Sequence, residues 1–264
     1  MKYTIGLIGA GKMGGAILTA MLGDGLAAGD ALVCDARDEA LGRFSKAGCA
    51  TTHAPQDVAA QCAAVVVAVK PQDFDALLSS LDIPEGRLVV SIAAGKTLAT
   101  MRNLLGPAPH LVRVMPNLAA MVGEGLMAYV ADESVTDDDL ERVRAMLRTC
   151  GKPVAIPERH FDTVTALSGS GPAFFAWALE AMAKGAEALG RPAETAQALA
   201  LQTMLGTARY LDGTNQDITA FIRAVCSPNG TTEAGMRVLE SSTAATTFAQ
   251  TIAAAARRSA ELSR

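Results

Sequence analysis

The chain has 264 residues, half of them hydrophobic, with a formal charge of −4 at pH 7, enough for one large domain or two modest ones. The slightly acidic balance and the lack of a basic stripe argue against nucleic acid as a partner. No run approaches ~18 uninterrupted apolar residues, so no membrane span is expected. Five scattered cysteines without a C-x-x-C pair, and three isolated histidines (His53, His110, His160), match neither a disulfide framework nor a metal site. This usage fits a reducing cytoplasm, and no metal is expected.

The chain opens with Lys2 and an apolar run that passes straight into Gly9-Ala10-Gly11-Lys12-Met13-Gly14. A secretory signal would have a small-residue cleavage site there, so none is expected. G-x-G-x-x-G after a short apolar run reads as strand, tight turn and helix start, a seat for a dinucleotide pyrophosphate. Gly9 would permit the turn, Gly11 would let backbone approach the phosphates, and Gly14 would let the helix pack closely on the sheet. That helix is expected to run to about Asp24, and Ala31 to Cys34 reads as a second strand ending at Asp35. Asp35 lies 21 positions beyond Gly14, where a carboxylate can accept from the adenosine ribose hydroxyls. Arg37, two residues on, would instead attract a phosphate on that ribose, so these residues leave NAD and NADP both open.

Further strands are expected at Ala63 to Val69, closed by Lys70-Pro71; at Leu88 to Ile92, closed by Ala93-Ala94-Gly95; at His110 to Val114; and at Leu126 to Val130. Short apolar strands separated by helical stretches argue for a mostly parallel sheet covered on both faces. Lys70 would face a cofactor phosphate or ribose, or simply stand in solvent. The small residues at Ala93 would leave room for a flat ring.

After Pro157 the pattern becomes helical, with helices expected at Phe174 to Leu189, Ala193 to Leu211 and Gln216 to Val225, and a last Ala-rich helix near the C-terminus. The boundary is set at residue 158, giving a nucleotide-binding domain over 1–158 and an all-helical domain over 159–264. Phe174 to Leu179 is apolar nearly all round, so this domain is expected to bury surface in a homo-oligomer. Two runs, Ser168-Gly169-Ser170-Gly171-Pro172 and Ser227-Pro228-Asn229-Gly230-Thr231-Thr232, each put hydroxyls and free N–H groups at a helix start. Such a start holds a small carboxylate or serves as a plain cap.

In order along the chain, Ile8 to Gly14, Ala68 to Gln72, Ser91 to Gly95, Arg113-Val-Met-Pro-Asn117, Leu167 to Ala173 and Ser227 to Thr232 resemble the motifs of the pyrroline-5-carboxylate reductase family over nearly the whole length. The resemblance implies a Rossmann-type α/β domain with a mostly parallel sheet, followed by an all-helical dimerisation domain. It also implies NADPH or NADH as cofactor, reduction of the cyclic imine to L-proline, and homodimers that assemble into decamers. By the same resemblance, Ile8, Gly9, Ala10, Gly11, Lys12, Met13 and Gly14 would form the phosphate turn, and Asp35 and Arg37 the adenosine-ribose region. Ala68, Val69, Lys70, Pro71 and Ala93 would form the cofactor wall. Glu158, Gly230, Thr231 and Thr232 would face the substrate, with backbone donors on its carboxylate and the Thr232 hydroxyl, the catalytic candidate, near the ring nitrogen.

Two positions depart from the family pattern: Leu118 stands where a threonine is usual, and Asn229 where a glycine is usual. Asn tolerates left-handed backbone, so the second change need not break its loop. Three other readings compete for these residues. A reductase of another cyclic imino acid could use the same loop, and a nucleotide-binding regulator would lack turnover. A beta-hydroxyacid dehydrogenase needs a helical lysine with an asparagine four residues later, but here Lys184 is followed by Ala188.

Overall fold

Alternation of apolar side chains decides which strands are sandwiched and by what. A computed structural model describes residues 1–262. Its first compact unit comprises residues 1–170 together with 255–262, and its second comprises residues 171–254.

The first unit is built on an eight-stranded sheet: β1 (Tyr3–Ile8), β2 (Ala31–Cys34), β3 (Ala50–Thr52), β4 (Cys62–Val67), β5 (Leu88–Ser91), β6 (His110–Met115), β7 (Gly125–Ala131) and β8 (Gly151–Ala155). The spatial order is β3-β2-β1-β4-β5-β6-β7-β8. Only β6 and β7 pair antiparallel; the remaining pairs are parallel.

Six helices cover the sheet: α1 (Lys12–Gly23), α2 (Asp38–Lys46), α3 (Pro55–Gln61), α4 (Pro71–Ser79), α5 (Leu98–Leu105) and α6 (Asp137–Arg148). Residues Ile5, Leu7, Val33, Val66 and Val90 pack with α1, α2 and α6 through Ile17, Phe44 and Leu147. Their neighbours Ile8, Leu32, Val65, Val67 and Val89 pack on the opposite face with α3, α4 and α5 through Val58, Phe74 and Met101. Successive strand residues point to opposite faces, so near-continuous apolar runs are what a doubly covered parallel sheet demands.

The expected strands are present, with ends shifted by up to two residues. The run expected to reach Val69 ends as a strand at Val67, and Ala68 adds one further bond by donating its N–H to the Ile8 carbonyl at 2.8 Å. Two strands were not expected. β3 is only three residues with no large apolar side chain, and β8 carries Lys152 and Pro153. Pro153 is tolerated because β8 is an edge strand.

After β8 come α7 (Phe161–Val164), a wider π-type turn over Thr165–Gly169, and then α8 (Gly171–Ala188), α9 (Ala193–Thr214), α10 (Ile218–Val225), α11 (Thr231–Ser241) and α12 (Ala244–Leu262). Within the second unit the buried core is thin, being Ala183, Ala196 and Ala200 at the meeting of α8 and α9. Phe175, Trp177, Met182, Leu199, Leu201, Val238 and Leu239 are all exposed. A single copy therefore leaves apolar area in water that its own core does not use. Among the described residues no helix is long and apolar enough to cross a membrane.

Candidate active site

The glycine turn between β1 and α1 uses each glycine for a different steric reason. Gly9 has φ +98°, and a Cβ there would lie 2.7 Å from the Ala68 carbonyl group on β4's exit. Gly14 sits against Gly9 and Ala68; an added Cβ would come within 2.6 Å of the Ala68 Cβ and closer still to the Gly9 carbonyl oxygen. Gly11 faces open space, with nothing within 4 Å of where its Cβ would be. As the cap of α1 it supplies no side chain, and the first turn of α1 carries no acidic residue. The first N–H groups of α1 thus have no intrahelical or side-chain acceptor, which leaves them for an anion. The Arg43 guanidinium braces the turn by donating from Nη2 to the carbonyls of Ala10 and Gly11 at 2.9 and 3.1 Å. Gly15 makes room for it, because any Cβ there would collide with that guanidinium. Sequence reasoning did not find this brace; the adjacent Gly14-Gly15 pair was its only trace.

Beside the turn lies a cavity of about 450 Å³. Ile8, Gly9, Gly11, Asp35, Arg37, Ala68, Val69 and Lys70, all expected at the cofactor, line it. The expected Ala10, Lys12, Met13, Gly14, Pro71 and Ala93 do not line it. Lys12, Met13 and Gly14 belong to the start of α1, and Pro71 opens α4. Ala93 is buried beyond β5 and donates its N–H to Ser91 Oγ at 3.2 Å. His53, Asp73 and Leu77 line the cavity without having been expected. Cys34 also lines it, its thiol pushed up to about 11 by burial and then by Asp35 and Asp57, so it is no nucleophile.

At the end of β2 the Asp35 carboxylate is already engaged. Oδ2 accepts the Ala10 N–H at 2.8 Å, and Oδ1 accepts the Arg37 N–H at 3.0 Å and Arg37 Nε at 3.2 Å. Burial pushes this carboxyl up, but the Arg37 and Ala10 donors prevail and hold it below the ordinary carboxylate range. His53 places Nδ1 2.8 Å from the Asp35 carbonyl and Nε2 3.0 Å from Asp38 Oδ1.

Glu158, expected at the substrate, has protein partners. Its Oε1 accepts the Leu98 N–H at the start of α5 at 2.8 Å and Arg113 Nη1 at 2.9 Å. Arg113, with a side chain only 5% exposed, also stacks its guanidinium on Phe161 at 4.5 Å. Asn117 links two of the family motifs, with Nδ2 donating to Ser168 Oγ at 3.2 Å while Oδ1 accepts the Leu126 N–H at 3.3 Å. Leu118 is 59% exposed, so the leucine there displaces no buried hydrogen bond.

In the second unit, Asn229 takes φ +58°, the left-handed conformation its replacement of glycine had to tolerate. Its N–H donates to Glu233 Oε2 at 2.6 Å. Gly230 caps α11 without a side chain, and its N–H donates to the Ser227 carbonyl at 2.9 Å. The start of α11 therefore presents free N–H groups flanked by the Thr231 and Thr232 hydroxyls. Lys184 pairs with Glu180 at 2.7 Å on the α8 surface, as a solvated helix pair.

A glycine turn at the carboxyl ends of parallel strands, an acidic residue closing β2 and a helical C-terminal unit define a dinucleotide-binding oxidoreductase of the Rossmann class. The family model for pyrroline-5-carboxylate reductase dimerisation matches residues 158–262, and one for coenzyme F420-dependent NADP oxidoreductase matches residues 4–95. A pyrroline-5-carboxylate reductase of Synechocystis is 36% identical over 265 residues, covering 99% of both chains. Pyrroline-5-carboxylate reductase 3 of Macaca fascicularis is 35% identical over 263 residues, 98% of this chain and 96% of its own. The structure of a Coxiella burnetii pyrroline-5-carboxylate reductase superposes with TM-score 0.91 at 33% identity over the full length of both. This chain belongs to the pyrroline-5-carboxylate reductase family.

Proposed function

We propose that this chain reduces 1-pyrroline-5-carboxylate to L-proline with NADPH or NADH. The observation that carries the substrate side is the start of α11, where a glycine cap leaves free N–H donors beside two threonine hydroxyls. A small carboxylate fits such a start, and the C=N carbon of a five-membered ring needs no protein nucleophile. When bound, the reduced nicotinamide supplies the hydride to that carbon.

The protein's part is alignment and charge placement. Gly230, Thr231 and Thr232 hold the substrate carboxylate through backbone N–H groups, and the Thr232 hydroxyl orients the ring nitrogen. A threonine hydroxyl is too weak an acid to surrender its proton, so the nitrogen's proton arrives with the iminium or from water. Glu158 acts on the substrate side; both of its contacts fall on Oε1, which leaves Oε2 for a ligand. The functional division is residues 1–158 for the dinucleotide and 159–264 for the substrate and dimerisation. The exposed apolar faces of α8 to α12 support a homodimer, assembling further into a decamer. A cytoplasmic location fits the five free cysteines.

Thr232→Ala tests the site: kcat/KM for pyrroline-5-carboxylate falls about tenfold or more while cofactor affinity holds. Unchanged kcat/KM would remove Thr232 from the reaction. Rates on five- and six-membered cyclic imino acids, measured side by side, decide between this substrate and a larger ring.

A further inference from the structure

The two faces of the sheet are not covered evenly. α3, α4 and α5, which follow β3, β4 and β5, all pack on one face, where Val65 of the inner strand β4 is fully buried. On the other face α1 and α6 leave a gap over β4, and its residue there, Ala64, is only half-buried. The gap is a cavity of about 270 Å³ whose floor is Ile5, Ala64, Leu88 and Val90. It shares no lining residue with the cavity beside the glycine turn. That turn opens α1, whereas Met21 and Asp24 wall this cavity at the far end of the same helix, about 15 Å along it.

Opposite charges stand at its rim without pairing to each other. Asp24 caps α1, whose last turn holds no basic residue. Its carboxylate has no bonded partner among the described residues. A carboxylate at a helix C-terminus meets the negative end of the dipole, which a cation would relieve. Arg142 of α6 reaches only Asp139, at 4.0 Å, and its side chain is 65% exposed, so its guanidinium has donors to spare. Ala145, exposed, follows Arg142 on the same face of α6 and also lines the cavity.

We propose that this cavity is a second small-molecule site, for an α-amino acid with a branched aliphatic side chain. The side chain lies on the aliphatic floor, where its burial supplies most of the affinity. The ammonium meets Asp24 and the end of α1, and the carboxylate takes the Arg142 fork. A volume below the ~300–1,000 Å³ of ordinary ligand pockets suits a molecule of this size and excludes a nucleotide.

Calorimetric titration of the full-length protein with L-leucine tests this. Leucine is expected to bind with a Kd of about 1 mM or tighter. Isocaproate, which lacks the ammonium, and isoamylamine, which lacks the carboxylate, are each expected to bind about fivefold more weakly, the worth of one exposed charge pair. Arg142→Gln and Asp24→Asn, both exposed changes, are each expected to cost leucine about fivefold. Ala145→Phe places a ring at the rim and is expected to abolish leucine binding while NADPH affinity and Tm hold. Leucine binding that survives all three variants unchanged belongs to another site and would overturn the inference, as would no leucine binding to the parent. Either partial probe binding as tightly as leucine would overturn the amino-acid class. None of these outcomes touches the reductase reading, which product formation tests separately.

Discussion

Gly14→Ala adds a single methyl at the tightest point of the dinucleotide seat. The new Cβ would lie 2.6 Å from the Ala68 Cβ, about 1 Å inside the ~3.5–4.0 Å optimum for carbon atoms. Neither obstacle can rotate away, because one is a backbone carbonyl and the other a Cβ. The start of α1 must therefore move off β4 by about 1 Å, and overpacking of this kind costs about 1–3 kcal/mol. Replacing glycine in a helix returns up to ~1 kcal/mol, so a net loss of about 1–2 kcal/mol is expected, or roughly 3–6 °C in Tm. The larger expected effect is on binding, since the displaced N–H groups are the ones proposed to meet phosphate. Losing one charge-assisted hydrogen bond weakens NADPH binding about tenfold or more. Gly42→Ala in α2 is the control, since its Cβ would meet nothing within 4 Å. That variant gains up to ~1 kcal/mol and binds normally. Thermal unfolding and calorimetric titration of both variants read the two effects separately. A Gly14→Ala protein as stable and as tight-binding as the parent would refute the reasoning.

Three further outcomes are expected. Glu158→Gln leaves the nearly buried Arg113 without a counter-charge and costs about 2–4 kcal/mol in urea unfolding, whereas a change under ~0.5 kcal/mol would show the pair to be incidental. Asp139 is buried beside His110 at 2.6 Å and Thr136; burial raises its carboxyl, but the Thr136 and His110 bonds outweigh this and lower it. A lowered folded pKa gives stability that is present above the unfolded value of about 4 and lost as pH falls through the folded one. The share of stability that Asp139 supplies is therefore full above about pH 5 and is lost as pH falls below about 4, so Asp139→Asn shallows the acid limb of Tm against pH; an unaltered acid limb in the variant would contradict the assignment. Trp177 is the only tryptophan and is 63% exposed in one chain, beside Phe174 and Phe248. The proposed homodimer through the helical unit would shield it, so its emission is expected to be blue-shifted at micromolar protein and to move red on dissociation; solvent-like emission from a sedimenting monomer would refute that assembly.

Most of the sheet could be read from the sequence because strands covered on both faces are continuous apolar runs. β1, β2, β4, β5, β6 and β7 announced themselves in this way. β3 and β8 did not, since an edge strand is covered less, and Ala50-Thr51-Thr52 and Gly151-Lys-Pro-Val-Ala155 carry too little apolar character to stand out. The glycine turn was legible residue by residue, because each glycine answers a local steric demand within one short segment. The partners of Asp35, Glu158 and Arg113 were not. Their contacts join residues 25, 60 and 45 positions apart, and only the folded sheet brings them together. His53 was a lone histidine in sequence and became a cavity residue because β3 ends beside β2. At Asn229 the family's usual glycine pointed to a backbone that asparagine can tolerate, and the left-handed φ of +58° is of that kind.

The central claim meets its most direct test in product formation by the purified full-length chain. Incubated with 1-pyrroline-5-carboxylate and NADPH, it is expected to form L-proline in one-to-one ratio with NADPH oxidised, as resolved by chiral chromatography. Binding of NADPH with no proline formed, and no oxidation above the enzyme-free rate, would contradict the account.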